Sequence, residues 1–293
     1  MRKTLLFFIL CIIVSGNIYA QDDRFSQLNE ENIIGFGKPL VTALGTGINS
    51  GSFYSADVAS TFGFSISLRA MLITVPDDQL TFTPTLPEGY NANESTPTFF
   101  GDKGGASYAG PNGYITFPGG INETSIPFAM PQVTASFMNT EALIRIVPTV
   151  KAGDEEFSFF GFGLKHNISH YIPLMPVDVA VQFLYNTLKF SDIVEGSNIA
   201  FNVHASKSFG LFTAYSGLQY ESSNFDFNYT IEGDENNGDL SLRQDRKVSA
   251  EIEGDNNFRF ILGGAVKLAM IVINADVNVS SQTVFSTGLS FEF

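Results

Sequence analysis

The sequence predicts an all-β protein: an antiparallel transmembrane β-barrel of about ten to twelve strands, with fourteen as the upper count, and a short N-terminal plug in its lumen. Three observations carry this. Apolar and polar residues alternate with a period of two from Ala59 onward, the signature of strands with two different faces. Mean hydropathy is +0.11, yet beyond the N-terminus no apolar run approaches the roughly 18 residues that a membrane helix requires. Finally, both long connections between the alternating segments fall on the same, outer side, as they do in a membrane barrel.

Residues 1–20 read as a cleaved secretory signal. Arg2 and Lys3 precede the apolar stretch Leu5 to Val14, and Ser15 to Ala20 ends on a small residue. The one cysteine, Cys11, lies inside this segment, so the mature chain has neither a disulfide nor a cysteine metal site. Cleavage leaves 14 basic against 30 acidic residues, a net charge of −16. Such a charge repels nucleic acid and excludes it as a partner.

Residues 21–58 do not alternate. Asp22 to Glu31 is polar and has the character of a short helix, and Gly35 to Ser52 is rich in Gly, Ser and Thr. This stretch is expected to fold into the barrel as a plug, the other reading being a disordered periplasmic leader. Residues 59–293 then form the barrel. Ten segments alternate, at about 59–75, 128–138, 141–150, 156–166, 177–189, 197–208, 210–225, 247–267, 270–280 and 283–293. In the first, Ile66, Leu68 and Leu72 share one face and Ser67 and Arg69 the other. Each is close to the 9 to 11 residues of a tilted membrane strand. A soluble sandwich also alternates, but its outer faces would carry more charge than these do.

If the chain ends on the periplasmic side, the outer connections are 281–282, 226–246, 190–196, 151–155 and 76–127, and the inner ones 268–269, 209, 167–176 and 139–140. Both long loops, 76–127 and 226–246, fall on the outer side. Loop 76–127 holds seven of the twelve prolines and reads as irregular chain. A hairpin inside it, Leu80 to Thr85 with Gly113 to Phe117, would raise the count to twelve strands. With no Trp in the chain, the interface girdles are expected from Phe with Tyr185 and Tyr220. The last strand places Phe285, Leu289, Phe291 and Phe293 on one face, and Gly288 to Phe293 reads as a signal to the barrel assembly machinery.

Two stretches carry a family resemblance: Ala43 to Gly51, and Gly163 to Pro173 continuing to Pro176-Val177-Asp178. They resemble an uncharacterised family of outer-membrane barrel proteins from Bacteroidetes-type bacteria, itself loosely similar to the FadL group of long-chain fatty-acid and hydrocarbon transporters. The FadL resemblance implies fourteen strands, an N-terminal hatch in the lumen and a wall kink through which hydrophobic substrates leave sideways. This chain is shorter and lacks that group's Asn-Pro-Phe hatch motif.

Alternation puts Arg69, Arg145, Arg259 and His204 on the lumen face, with Lys165, Lys267, Glu141, Asp178, Asp276 and Glu292. These groups either pair across the lumen and fill it or build a ligand site. In the second case Arg69, Arg145 and Arg259 hold a carboxylate head group with their planar forks, while Leu143 and Ile261 hold an apolar tail. Ten to twelve strands leave only a narrow lumen, which excludes a wide aqueous porin. Pro131 and Pro148 each remove a ladder donor, and Pro131 is the candidate wall opening. No metal site is expected: His166 and His170 are four apart without a zincin glutamate between them, and Glu232, Asp234 and Asn236 fail the calcium-loop pattern at Asn237 and Arg243. Enzyme and cofactor motifs are missing from the sequence, so no catalysis and no cofactor are expected.

The expected location is the bacterial outer membrane, with its lipid and lipopolysaccharide, the assembly machinery and a hydrophobic small molecule as partners. The expected task is passive transport of small hydrophobic or amphipathic solutes. The alternatives are a closed structural or adhesion barrel acting through its surface loops and an outer-membrane enzyme.

Overall fold

The computed structural model describes residues 28–91, 94–111, 113–152, 155–231 and 246–293. The signal segment 1–20 and the calcium-like stretch 232–243 lie outside them. The elements are a helix, α1 (Glu30–Ile48), and fifteen strands: β1 (Gly63–Thr74), β2 (Thr81–Phe82), β3 (Thr96–Pro97), β4 (Ser107–Gly110), β5 (Gly113–Thr116), β6 (Ser125–Phe137), β7 (Thr140–Ala152), β8 (Glu155–Asn167), β9 (Asp178–Phe190), β10 (Val194–Phe209), β11 (Phe212–Ile231), β12 (Arg246–Glu253), β13 (Phe258–Leu268), β14 (Ile271–Val279) and β15 (Thr283–Glu292).

Ten of these strands close into an antiparallel barrel in the order β10-β9-β8-β7-β6-β1-β15-β14-β13-β11, with β11 returning to β10. Closure gives each of the ten wall strands a neighbour on both sides. The first and last wall strands in sequence, β1 and β15, are neighbours, and beside their ladder Phe64 and Phe293 exchange backbone hydrogen bonds of 3.1 and 2.8 Å. Outward positions carry Leu68, Ile144, Phe162, Phe201 and Phe285, all exposed, while their neighbours in sequence point inward and are buried. No helix among the described residues is long and apolar enough to cross a membrane. The β6–β7, β10–β11 and β13–β14 connections, two residues each, lie at one end of the barrel, and the long connection 75–124 lies at the other. Met138 and Asn139, at φ 50° and 59°, give the β6–β7 hairpin a tight two-residue turn whose positive φ values match the strand twist.

Three expectations are corrected. The segment read as one strand over 247–267 is two, β12 and β13, divided at Gly254 to Asn257. β12 stands outside the barrel and pairs only with the far end of β11, from Asn224↔Glu253 to Ile231↔Arg246; the long loop read as 226–246 is thus a strand hairpin over most of its described part. Second, Leu80 to Thr85 does not pair with Gly113 to Phe117. The stretch forms two small hairpins, β2–β3 and β4–β5, neither of them in the wall, so the barrel keeps ten strands rather than twelve or fourteen. Aromatic residues give this loop a core of its own: Phe117 packs edge-on against Tyr108 at 5.5 Å and Phe82 at 6.3 Å. Burial and the charge of Glu94 raise the Tyr108 phenol above its ordinary pKa, and its hydroxyl donates to the Glu94 carbonyl at 2.8 Å.

Third, the Gly-, Ser- and Thr-rich stretch from Gly35, expected as flexible chain, is helical as far as Ile48: the helix runs from Glu30 to Ile48, with Asn29 as its cap accepting from Asn32 N–H at 2.9 Å. Of the polar stretch Asp22–Glu31 expected as a short helix, residues 22–27 lie outside the described residues and Glu30 and Glu31 open α1. Gly35, Gly37, Gly45, Gly47 and Pro39 make it a poor helix by propensity. Packing decides otherwise. Val41, Ala43, Thr46 and Ile48 are buried, and its glycines lie against inward-facing side chains of the strands.

Candidate functional site

The lumen is built from α1, the extended chain 49–62 that follows it, and the inward faces of the strands. At the long-loop end the helix starts beneath the loop of β2 to β5. Asn32 pairs its amide with both the N–H and the C=O of Thr85, at 2.8 and 2.9 Å, and Phe99 N–H donates to Phe36 O at 3.0 Å. The helix stops at Asn49, whose N–H caps Gly45 O at 3.0 Å. The chain then passes along β8 to β10, with Ser52 Oγ donating to Gln182 Oε1 at 2.9 Å and Ala56 N–H to Ser206 Oγ at 2.9 Å. It enters β1 beside the β6–β7 turn, where Asn139 N–H donates to Ala59 O.

Two of the three lumen arginines, Arg145 and Arg259, converge on the end of that helix. The Arg145 guanidinium donates to Ile48 O at 2.6 Å and Ser50 O at 3.0 Å, and both Nε and Nη2 reach Gln132 Oε1. Arg259 donates to Thr46 O at 2.9 Å and to the Ser50 hydroxyl, and forms an ion pair with Glu221 at 2.6 Å in which both side chains are fully buried. Arg69 donates to Asn274 Oδ1 and lies over the Tyr54 ring, 5.5 Å from its centroid. The last carbonyls of a helix lack intrahelical donors and carry the negative end of its dipole. Arg145 and Arg259 satisfy them here, and Arg145 meets no carboxylate at ion-pair distance among the described residues.

Of the other sequence-derived candidates, His204 stacks on Phe53 with centroids 3.8 Å apart and bonds Asn202 through Nδ1 at 2.8 Å. Leu143 and Ile261 are buried in separate clusters, Leu143 with Leu184 and Ala200, Ile261 with Phe53 and Tyr215. They do not come together as one tail site. Lys165 pairs with Glu141 at 2.9 Å, and Lys267 with Glu292 at 2.6 Å. Phe285, Leu289, Phe291 and Phe293 are all exposed on the outer face. His166 stacks on Tyr171, and no group of three ligands able to hold a metal occurs among the described residues.

Toward the long-loop end the lumen becomes apolar. Met71, Ile73, Phe128, Met130, Phe159 and Leu188 pack in one buried cluster with Val41 and Ile48 of α1. The wall beside this cluster is irregular. The β6–β7 ladder runs from Phe137↔Thr140 to Gln132↔Arg145 and stops there, although β6 continues to Ser125 and β7 to Ala152. Pro131 is the first β6 residue past the end of that ladder. On the other side of β7 the β8 pairing breaks between Val147 and Val150, around Pro148. A recess of about 410 Å³ lies at this break, lined by the exposed Ile146 and Phe160, by the buried Phe159 and Leu188, and by Val147 and Pro148 between them.

The whole chain, residues 1–293, matches a family of unknown function, DUF6588. The chain belongs to that family. No curated protein matches it. Among solved structures this DUF6588 chain is similar to the toluene transporter TbuX of Ralstonia pickettii, at 8% identity over 89% of this chain and 98% of that one, with a TM-score of 0.22. It is also similar to OccK11 of Pseudomonas aeruginosa, at 7% identity over 82% and 99% with a TM-score of 0.19. A BenF-like porin from Pseudomonas fluorescens Pf-5 matches at 9% identity over 82% and 99%, with a TM-score of 0.15. These superpositions are loose, and the barrel rests on its own strand pairing.

Sequence reasoning did not single out the partners that the arginines use: Glu221, Gln132, Thr46, Ile48 and Ser50. Parity along β11 and β6 puts Glu221 and Gln132 on the lumen face. A backbone carbonyl as the arginine acceptor leaves no mark in sequence.

Proposed function

We propose that this DUF6588 protein is an outer-membrane transporter, without catalytic activity, for small hydrophobic or amphipathic solutes. Residues 28–58 act as its plug and the irregular wall around β7 as its side exit. One observation carries the reading: Val147, Phe159 and Leu188 line the recess in the wall and also belong to the apolar lumen cluster that holds α1. A solute that displaces the helix from this cluster meets Val147, Phe159 and Leu188 on the inner side of the recess and Ile146 and Phe160 on the lipid side, with Lys189 and Glu195 as its charged lining. The secretory N-terminus and the outward apolar positions support an outer-membrane location. In this reading Arg69, Arg145 and Arg259 hold the plug rather than a ligand head group.

A second reading, a closed structural barrel acting through its outer loops, draws support from how completely Arg145 and Arg259 satisfy the helix end. One experiment separates the two. A Cβ built on Gly47 lies 3.6 Å from Cγ1 of Ile73, so a Gly47→Cys/Ile73→Cys pair sits near disulfide range, in a mature chain free of other cysteines. Cells carrying this variant are expected to take up N-phenyl-1-naphthylamine when the bond is reduced, and no faster than cells lacking the protein when it is oxidised. Wild-type uptake equal to that of cells lacking the protein would sink transport and leave the closed barrel.

A further inference from the structure

Where the lumen wall faces the end of α1 from β9, β10 and β11, it is polar. Asn198 stands directly opposite Asn186 on one side and Ser223 on the other, and all three are fully buried. Oδ1 of Asn186, both polar atoms of Asn198 and the Ser223 hydroxyl have no hydrogen-bond partner among the described residues. Neither have Oγ1 of Thr46 and Nδ2 of Asn49 at the helix end. Helix and wall meet closely here: a Cβ on Gly45 would lie 2.1 Å from Ser223 Oγ and 3.2 Å from Asn198 Oδ1, and Asn186 Nδ2 donates to Asn49 Oδ1 at 3.0 Å. Buried polar atoms are rarely left unpaired in native proteins, and a group without a protein partner is satisfied by ordered water.

The polar line continues in both directions. Gln219 Nε2 reaches Asn49 O at 3.4 Å, and Asn202 Nδ2 bridges the side-chain oxygens of Gln182 and Gln219 at 3.1 and 3.2 Å. His204 follows through Asn202, and the Nε2 atoms of Gln182 and His204 are again without partner. Ser55 and Ser206, 3.3 Å apart, carry the line to the short-turn end. Toward the long-loop end lies Asn256, bonded to Glu221, with its own Oδ1 unpartnered.

We propose that a file of water runs along β9 to β11 past the end of α1, and that the plugged barrel conducts water while holding back ions and larger solutes. The file lies across the lumen from the apolar wall at β6 and β7 and does not depend on movement of the helix. It is narrow, because Gly45 packs directly on Ser223, and the positive Arg145 guanidinium at the helix end, which meets no carboxylate at ion-pair distance among the described residues, repels cations. Small apolar solutes find no surface there.

The test is stopped-flow shrinkage of vesicles holding the full-length protein, with sucrose as impermeant osmolyte and folding checked by heat-dependent gel mobility. Wild-type vesicles are expected to shrink several-fold faster than protein-free ones. The oxidised Gly47→Cys/Ile73→Cys variant is expected to match the wild type, and Asn198→Leu to fall to the protein-free rate. His204→Phe, which keeps a ring on Phe53, provides the same reading if Asn198→Leu does not fold. A wild-type rate equal to protein-free vesicles overturns the water file, as does an unchanged rate in a folded variant. A flux that disappears on oxidation also overturns it, because water would then pass only when the plug moves. Hydrophobic uptake is measured separately, so either idea can fail without the other.

Discussion

Arg145 Nη1 donates to the carbonyl oxygen of Ile48 at 2.6 Å, joining the middle of a barrel strand to the last turn of the lumen helix. A buried guanidinium is costly unless its donors are used. Here the acceptors are Ile48, Ser50 and Gln132, so wall and helix end satisfy each other. Arg145→Ala is expected to destabilise the folded protein by about 1.5–3 kcal/mol, the range for hydrogen bonds to charged groups, and to raise ionic leak in planar bilayers. Arg145→Lys is expected to fall between the two, since a single ammonium does not reproduce the planar fork. An alanine variant as silent as the wild type would show that the contact does not hold the helix.

Of the helix glycines, Gly45 leaves the least room against the wall: a Cβ there would lie 2.1 Å from Ser223 Oγ and 2.6 Å from Ser223 Cβ. Gly45→Ala is therefore expected to destabilise by about 1–3 kcal/mol, as overpacking does in a tight core, despite the better helix propensity of alanine. Ser223→Gly should recover most of the loss in the double variant. Urea titration of the heat-modifiable band gives all four corners of the cycle, and additive losses would mean that the two sites do not touch in solution.

How much of this was legible in the sequence follows from which interactions leave a pattern. A strand with one face in lipid and one in the lumen must alternate, so all ten wall strands and the ends on which their connections fall could be read, with boundaries a few residues off. β12 was merged with β13 because Ala250 and Ile252, buried over α1, keep the alternation going outside the barrel. The helix left no such trace. Its glycines are needed for clearance against Ile73, Ser223 and Ile252, and the same glycines read as flexible chain in sequence. Lumen-facing arginines were legible by parity, but their acceptors are largely backbone carbonyls of a segment far away in sequence.

Phe293 closes the barrel by backbone rather than by its ring alone. Its N–H donates to Phe64 O at 2.8 Å and its carbonyl accepts from Phe64 N–H at 3.1 Å, while the two rings lie 6.3 Å apart. Deleting Phe293 removes both bonds, whereas Phe293→Ala keeps them and removes the exposed ring. If the terminal aromatic is read by the assembly machinery, Phe293→Ala is expected to lower the folded fraction in cell envelopes and to leave stability of the purified barrel within about 0.5 kcal/mol, as for other surface changes. Equal folded fractions in envelopes would assign the residue to closure alone.

The wall around Pro131 offers the most direct check on the side exit. β6 pairs with β1 from Ser125 to Ser136, but with β7 only from Gln132 to Phe137. Pro131 has no N–H to continue that second ladder. Residues 125–130 therefore have strand partners on one side and 132–136 on both. Hydrogen exchange of the protein in nanodiscs is expected to be faster in a peptide covering 125–131 than in one covering 132–137, and faster in 146–152 than in 140–145. Pro131→Val restores a donor at the end of the ladder and is expected to slow exchange in 125–131 and to reduce uptake of N-phenyl-1-naphthylamine together. Slow, uniform exchange along both strands of the wild type would mean that the seam is paired in the membrane, and the side exit would then have to be sought at the Pro148 bulge alone.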